Sequence, residues 1–190
     1  YPITWTYLGP IQNMTIQYSY NGSGGPWSNL TDSTPASAGT WNWTIDNATT
    51  LSMNARVKVF DKDQPLAEDI SDNSFIVKGV VRLVSPNATG IILYVADTYN
   101  ITWSRFGAVQ FVNLSYTTTG SDNGPWTPIV SGLSAFPNST YSWPVADSIG
   151  NLTKVKVNDA NNINVFDTSD NNFTIIGRIS IDKPDTNETD

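Results

Sequence analysis

The residues with the plainest chemical potential are asparagines. Asn-x-Ser/Thr, never with proline in the middle, occurs at Asn13, Asn21, Asn29, Asn42, Asn47, Asn87, Asn100, Asn113, Asn138, Asn151, Asn172 and Asn187. In this triplet the Asn amide nitrogen is the acceptor for an N-linked glycan. Twelve of the twenty asparagines stand in it, and Ser plus Thr fill 41 of 190 positions. Random placement would give roughly four such triplets. A strand with an Asn- and Thr-rich outer face also generates the triplet, because positions i and i+2 share a face. That alternative bears on Asn13, Asn42, Asn100, Asn113 and Asn172, which fall on outward strand phases. It does not bear on Asn29, Asn47, Asn87, Asn138, Asn151 and Asn187, which the surrounding turn residues place in loops. Covalent N-glycans are therefore expected at several sites.

A second group is acidic. Asp61, Asp63, Asp69 and Asp72 precede one hydrophobic strand, and Asp159, Asp167 and Asp170 precede another. Carboxylates at a loop end, with backbone carbonyls, can hold Ca²⁺. The spacing matches no EF-hand, however, and Asp is an ordinary turn former. For catalysis the chain offers only Glu68 and Glu188 besides aspartates. A two-carboxylate glycosidase remains formally open, but nothing converges on a cleft, and no enzyme is expected. No other cofactor is expected. With no Cys and no His, disulfides, Cys/His zinc sites, Cys or His nucleophiles and Ser-His-Asp triads are excluded. A net charge of −7 and a pI near 4.3 disfavour nucleic acid and anionic membranes as partners. The longest apolar run, Ile91 to Ala96, is too short to span a bilayer. No leader is visible at Tyr1, which fits a processed chain or a slice of a longer one.

The elements that position these residues repeat. Tyr99-Asn100-Ile101-Thr102-Trp103 restates Tyr1-Pro2-Ile3-Thr4-Trp5. Val112, Leu114 and Tyr116 match Met14, Ile16 and Tyr18. Gly124-Pro125-Trp126 matches Gly25-Pro26-Trp27, and Tyr141 and Trp143 match Trp41 and Trp43. Val155 and Val157 match Val57 and Val59. The offset is 98 at both ends and drifts to 100 in the middle, as a compensated loop insertion produces. Apolar residues alternate with polar ones throughout, and no long segment shows helical spacing. Six or seven short strands per repeat predict an all-β protein of two tandem Ig-like antiparallel β-sandwich domains with no significant helix. The recurring aromatics read as core. A sugar-stacking platform is the alternative for Trp27 and Trp126, each after Gly-Pro near a turn.

The repeat boundaries are informative. Val80-Val81-Arg82-Leu83-Val84-Ser85-Pro86-Asn87 reads as a first strand and turn of the second repeat. No such segment precedes Tyr1, whereas Arg178-Ile179-Ser180-Ile181-Asp182-Lys183-Pro184-Asp185 follows the second repeat. The domains are thus 1–77, lacking its own first strand; 78–176; and 177–190, the first strand of a following repeat or a donor strand. An open edge invites strand addition. Arg178, Ile179, Ser180, Ile181, Asp182 and Lys183 form the candidate assembly strand.

The joint order of motifs resembles a known repeat. Ile-Thr-Trp, Tyr18-Ser19-Tyr20, Gly-Pro-Trp, Trp41-Asn42-Trp43, Arg56-Val57-Lys58-Val59 and Asp69-Ile70-Ser71-Asp72-Asn73-Ser74-Phe75-Ile76-Val77 carry it. So do Tyr141-Ser142-Trp143, Lys154-Val155-Lys156-Val157 and Asp167-Thr168-Ser169-Asp170-Asn171-Asn172-Phe173-Thr174-Ile175. It is similar to the Kre9/Knh-type, Ig-like (fibronectin-III-like) repeat of large prokaryotic cell-surface proteins. The usual opening, a strand followed by a Gly-rich turn and a Trp, is altered here to Ser85-Pro86-Asn87-Ala88-Thr89-Gly90-Ile91-Ile92-Leu93-Tyr94. The resemblance implies tandem domains in an extracellular stalk, S-layer or filament, with no catalytic residues to carry over. Two function classes follow. One is a glycosylated structural subunit or repeat segment, whose partners are copies of itself, head to tail, or adjacent repeats of a longer chain. The other is an adhesin or carbohydrate-binding module array on the cell surface.

Overall fold

The computed structural model describes residues 1–137 and 139–181. Their regular structure is β-strand apart from two single-turn 3₁₀ helices, Gly22–Gly24 and Ala36–Ala38. In chain order the first strands are β1 (Pro2–Thr4), β2 (Asn13–Ser19), β3 (Trp27–Pro35), β4 (Thr40–Asn42), β5 (Ser52–Asp61), β6 (Glu68–Ile70) and β7 (Phe75–Val77). Then come β8 (Val80–Ser85), β9 (Ile92–Tyr94), β10 (Thr98–Phe106), β11 (Phe111–Thr117) and β12 (Thr127–Ser134). The last are β13 (Thr140–Pro144), β14 (Gly150–Asp159), β15 (Phe166–Thr168) and β16 (Phe173–Ile176).

The chain forms two compact units. Unit 1 is Tyr1–Val80 with the loop Phe106–Val109; unit 2 is Val81–Arg105 with Gln110–Asp190. In unit 1 a sheet ordered β3-β2-β5-β6, with β7 also on β5, accompanies the pair β1-β4. In unit 2 a sheet ordered β12-β11-β14-β16-β9, with β15 on β14, accompanies β13-β10-β8. Both long sheets are antiparallel except where β9 lies parallel to β16. The protein is thus all-β, and each of its two compact units pairs a long, mainly antiparallel sheet with a shorter one.

The two-residue period explains the cores. Met14, Ile16 and Tyr18 point inward from β2, and Val112 and Leu114 do so from β11; all five are buried. In unit 1, Tyr18, Trp43, Ala55 and Val77 form the centre, with Ile3, Trp41, Ile45, Leu51 and Phe75 against it. The Tyr18 and Trp43 rings lie 4.8 Å apart, and Phe75 meets Trp43 edge-on at 6.2 Å. Unit 2 buries Ile101, Trp103, Trp143, Val155, Val157, Phe173 and Ile175. Each large apolar side chain removed from water contributes about 2–3 kcal/mol.

The loop Phe106–Val109 belongs by sequence to the second repeat, yet it packs within unit 1. The Gly107 N–H donates to Asn47 Oδ1 at 2.7 Å. A Cβ at Gly79 would strike Val109 Cγ2 and lie 3.3 Å from Leu51 Cδ1, so the close approach needs glycine there.

Candidate functional site: sequons, acidic turns and an open groove

None of the sequon asparagines in the described residues is buried. Asn21, Asn29, Asn42, Asn47, Asn100, Asn151 and Asn172 are exposed, and Asn13, Asn87 and Asn113 are half-buried. Asn138 and Asn187 lie outside the described residues. Three placements differ from the sequence expectation, and in two of them Asn29 sits within β3 and Asn151 within β14, rather than in turns. Both lie beside bulges. The β2–β3 register shifts around Ile16, and the β14–β16 register shifts between Gly150 and Thr153, so simple alternation fails there. Asn172 lies in the bend before β16 rather than in a strand.

The amides differ in what else they do. Asn100 Oδ1 accepts from Ser142 Oγ at 2.8 Å, and Asn113 Oδ1 accepts from the Gly132 N–H at 2.9 Å. Asn29 Oδ1 accepts from Gln17 Nε2, while its Nδ2 donates to Asp32 Oδ1. Asn87 is the most committed. Its Nδ2 donates to Asp170 Oδ2 and its Oδ1 accepts from the Asp170 N–H, both at 2.6 Å, and its carbonyl accepts from Asn171 Nδ2.

The acidic residues do not converge. Among the described residues no three of them are placed to hold a metal ion. Asp61 and Asp159 instead close the matching β5–β6 and β14–β15 turns. Asp61 Oδ1 accepts from the Asp63 N–H, and Asp159 Oδ1 from the Asn161 N–H, each at 2.9 Å. Asp63, Asp69 and Asp72 are exposed on unit 1. Asp170 is taken by Asn87. Asp167 does something sequence reasoning missed: its Oδ2 accepts from the Leu83 N–H of β8 at 2.8 Å.

The two Gly-Pro-Trp motifs also share an unforeseen feature. Lys58 Nζ stands 4.9 Å from the Trp27 ring centre, and Lys156 Nζ stands 4.5 Å from that of Trp126. Each ammonium also lies near a second ring, Phe60 or Phe166. An ammonium over an indole face is attractive, contributing about 0.5–1 kcal/mol at such sites. It occupies a face a sugar would need. The signal was present: both lysines and both tryptophans recur at the repeat offset. A Cβ at Gly124 would come within 2.7 Å of the Trp126 ring, which fixes glycine in this turn.

The largest difference between the units lies where β8 sits. In unit 2, Val81 and Leu83 of β8 are each 3% exposed, beside β10. In unit 1, among the described residues, no strand takes the corresponding place beside β1. An open groove of about 690 Å³ lies there instead, lined by Ile3, Trp5, Met14, Val57, Val59 and Asp69 among others. A second, of about 380 Å³, adjoins Ile3, Trp43, Phe75 and Val77. The candidate assembly strand has the complementary character. Ile179 and Ile181 stand 98 positions after Val81 and Leu83 and are 98% and 79% exposed. Arg178 reaches both oxygens of Asp97 at 2.6 Å and lies over the Tyr94 ring. Ser180 is exposed, and Asp182 and Lys183 lie outside the described residues.

No protein-family model matches the chain, and no curated protein does. Among solved structures, the chain is similar to the fibronectin(III)-like modules of CbhA from Clostridium thermocellum, at 15% identity and a TM-score of 0.32. That match covers 93% of this chain and 84% of the other. Among the described residues no helix is long and apolar enough to cross a membrane.

Proposed function

We propose that this chain is a structural, glycosylated subunit or repeat segment of an extracellular filament, sheath or surface layer, joined head to tail by strand complementation to a second copy or to an adjacent repeat of a longer chain. The Kre9/Knh-type character of the repeats belongs to this reading, which assigns no catalysis. One observation carries it. Ile179 and Ile181 repeat the buried Val81 and Leu83 pair at the repeat offset, yet lie in water, while the matching groove of unit 1 is open. Inserting residues 178–183 of one copy beside β1 of another satisfies both at once. Such a contact is heterologous, so it generates an open-ended polymer.

Asp69 supports the same register. It stands opposite Val59 as Asp167 stands opposite Val157. Asp167 accepts the Leu83 N–H, so Asp69 supplies a waiting acceptor for the N–H of a second copy's Ile181. The exposed sequons fit the reading too. Only 14% of residues are charged, against roughly 25% in an average soluble protein, so a glycan coat would supply the missing surface polarity. The carbohydrate-binding alternative has less support, because lysines cap the two candidate tryptophans.

Sedimentation velocity and negative-stain electron microscopy of the full chain across a concentration series test the assembly. Species that lengthen with concentration are expected; a monomer at every concentration would overturn it. Intact mass before and after glycan removal tests the coat, and an unmodified mass would sink that part.

A further inference from the structure

Unit 1 contains a small seat with a loop on it. Gly79 and Leu51 form the seat, and Phe106–Val109 is the loop. Gly107 packs 3.2 Å, measured from an added Cβ, against the Gly79 Cα, and Gly79, Gly107 and Val109 are all buried. Unit 2 carries the same seat. Gly177 and Ile149 stand 98 positions after Gly79 and Leu51, and a Cβ at Gly177 would lie 3.3 Å from Ile149 Cδ1, the distance found between Gly79 and Leu51. Among the described residues this second seat carries no loop: Gly177 is exposed and Ile149 is 66% exposed. The chain also carries a second loop of the same kind. Leu8-Gly9-Pro10-Ile11 stands 98 positions before Phe106-Gly107-Ala108-Val109. Gly9 has φ 93° and Gly107 has φ 82°, so the backbones turn alike. Leu8 is 95% exposed, and no seat lies under it among the described residues.

We propose that the loop Leu8–Ile11 of one copy seats on Gly177 and Ile149 of a second copy, reproducing the packing of Phe106–Val109 on Gly79 and Leu51. The inference rests on the head-to-tail reading and adds a second, separate contact to the same joint. The strand beginning after Gly79 and the loop returning to Gly79 belong together inside the chain. The strand beginning after Gly177 would then meet the loop that returns to Gly177. The occupant is a second copy because its Leu8-Gly9-Pro10-Ile11 stands at the repeat offset from the loop that fills the first seat. Two apolar side chains exposed in the single copy, Leu8 and Ile149, would both be covered.

The chain has no cysteine, so an engineered pair reports cleanly. Full chain carrying Ile11→Cys and Ile149→Cys together is expected to give, on oxidation, a reducible ladder extending beyond dimers. Each single variant should stay monomeric on non-reducing gels, since loop seating pairs position 11 only with position 149. Ile149→Asp should weaken self-association at least tenfold while leaving the urea unfolding midpoint unchanged. If the wild-type chain assembles but the double variant gives no ladder and Ile149→Asp assembles normally, loop seating is wrong and strand complementation stands. If the wild-type chain does not assemble, both fail.

Discussion

Replacing both Ile179 and Ile181 by alanine is the sharpest test of the joint. In the single copy these side chains are 98% and 79% exposed, while their counterparts Val81 and Leu83 are 3% exposed. Seating the strand would therefore carry nearly all of one isoleucine and about three-quarters of the other out of water. Each Ile→Ala change removes three carbons, so at about 0.8 kcal/mol per buried carbon the pair loses about 4–5 kcal/mol of association energy. At about 1.4 kcal/mol per tenfold, that is roughly three decades in the association constant. In end-to-end growth the mean length follows the square root of that constant, so long chains should collapse to monomers and dimers. Folding of the single copy should move by no more than about 0.5 kcal/mol, since both sites are exposed and far from any named core contact. Sedimentation velocity over a concentration series reads the association constant, and urea unfolding serves as the control. Ile179→Val with Ile181→Leu copies β8 and should retain assembly. A double-alanine chain that assembles with the wild-type concentration dependence would refute the reasoning.

Further outcomes are expected. Asp69→Ala should weaken assembly by about 1–3 kcal/mol, the cost of leaving a buried N–H without its acceptor, with little effect on urea unfolding of the single copy; equal assembly would remove Asp69 from the joint. Glycopeptide mass spectrometry should find Asn87 empty or least occupied while Asn42, Asn100, Asn151 and Asn172 carry glycans, because both polar atoms of the Asn87 side chain are held by Asp170. Burial pushes the Tyr18 phenol up to about 12 from 10.0, and its hydroxyl donates to the Thr50 carbonyl at 2.7 Å. The native state therefore keeps a proton that the unfolded chain loses above pH 10. This stabilisation is complete below pH 10 and is lost as pH rises through about 12. Urea midpoints at pH 9 and 11 should fall more steeply for wild type than for Tyr18→Phe; parallel slopes would contradict the burial argument.

Much of the architecture could be read from alternation and repetition. Met14, Ile16 and Tyr18 against Val112, Leu114 and Tyr116 place equivalent strands without any structure, because a half-buried strand must repeat every second residue. The reading failed where the backbone departs from that period. Asn29 and Asn151, expected in turns, lie in strands beside bulges in β3 and at the start of β14, where the register shifts. The aspartates show a different limit. Sequence position grouped them as one acidic set per repeat, but Asp61 closes a turn, Asp167 holds a neighbouring strand and Asp69 faces a groove. Only the fold separates roles that share a side chain. The seat of Gly79 and Leu51 was invisible for a related reason: it depends on a loop about thirty residues away returning to the same place.

The Arg178–Ile181 segment has a consequence for turnover. Trypsin-like proteases need an accessible basic residue on extended backbone, and this chain has only ten Lys and Arg residues. Lys58, Lys154 and Lys156 are half-buried within strands, whereas Lys62, Lys78 and Arg82 are exposed outside the terminal segment. Arg178 is exposed, with its guanidinium held by Asp97 and laid over Tyr94, and its neighbours 177–181 pair with no strand. A cut after Arg178 would release Ile179 onward and leave both folded units intact. On the strand-complementation reading, cleavage there would disarm an idle copy, whereas a docked strand would be shielded at that bond.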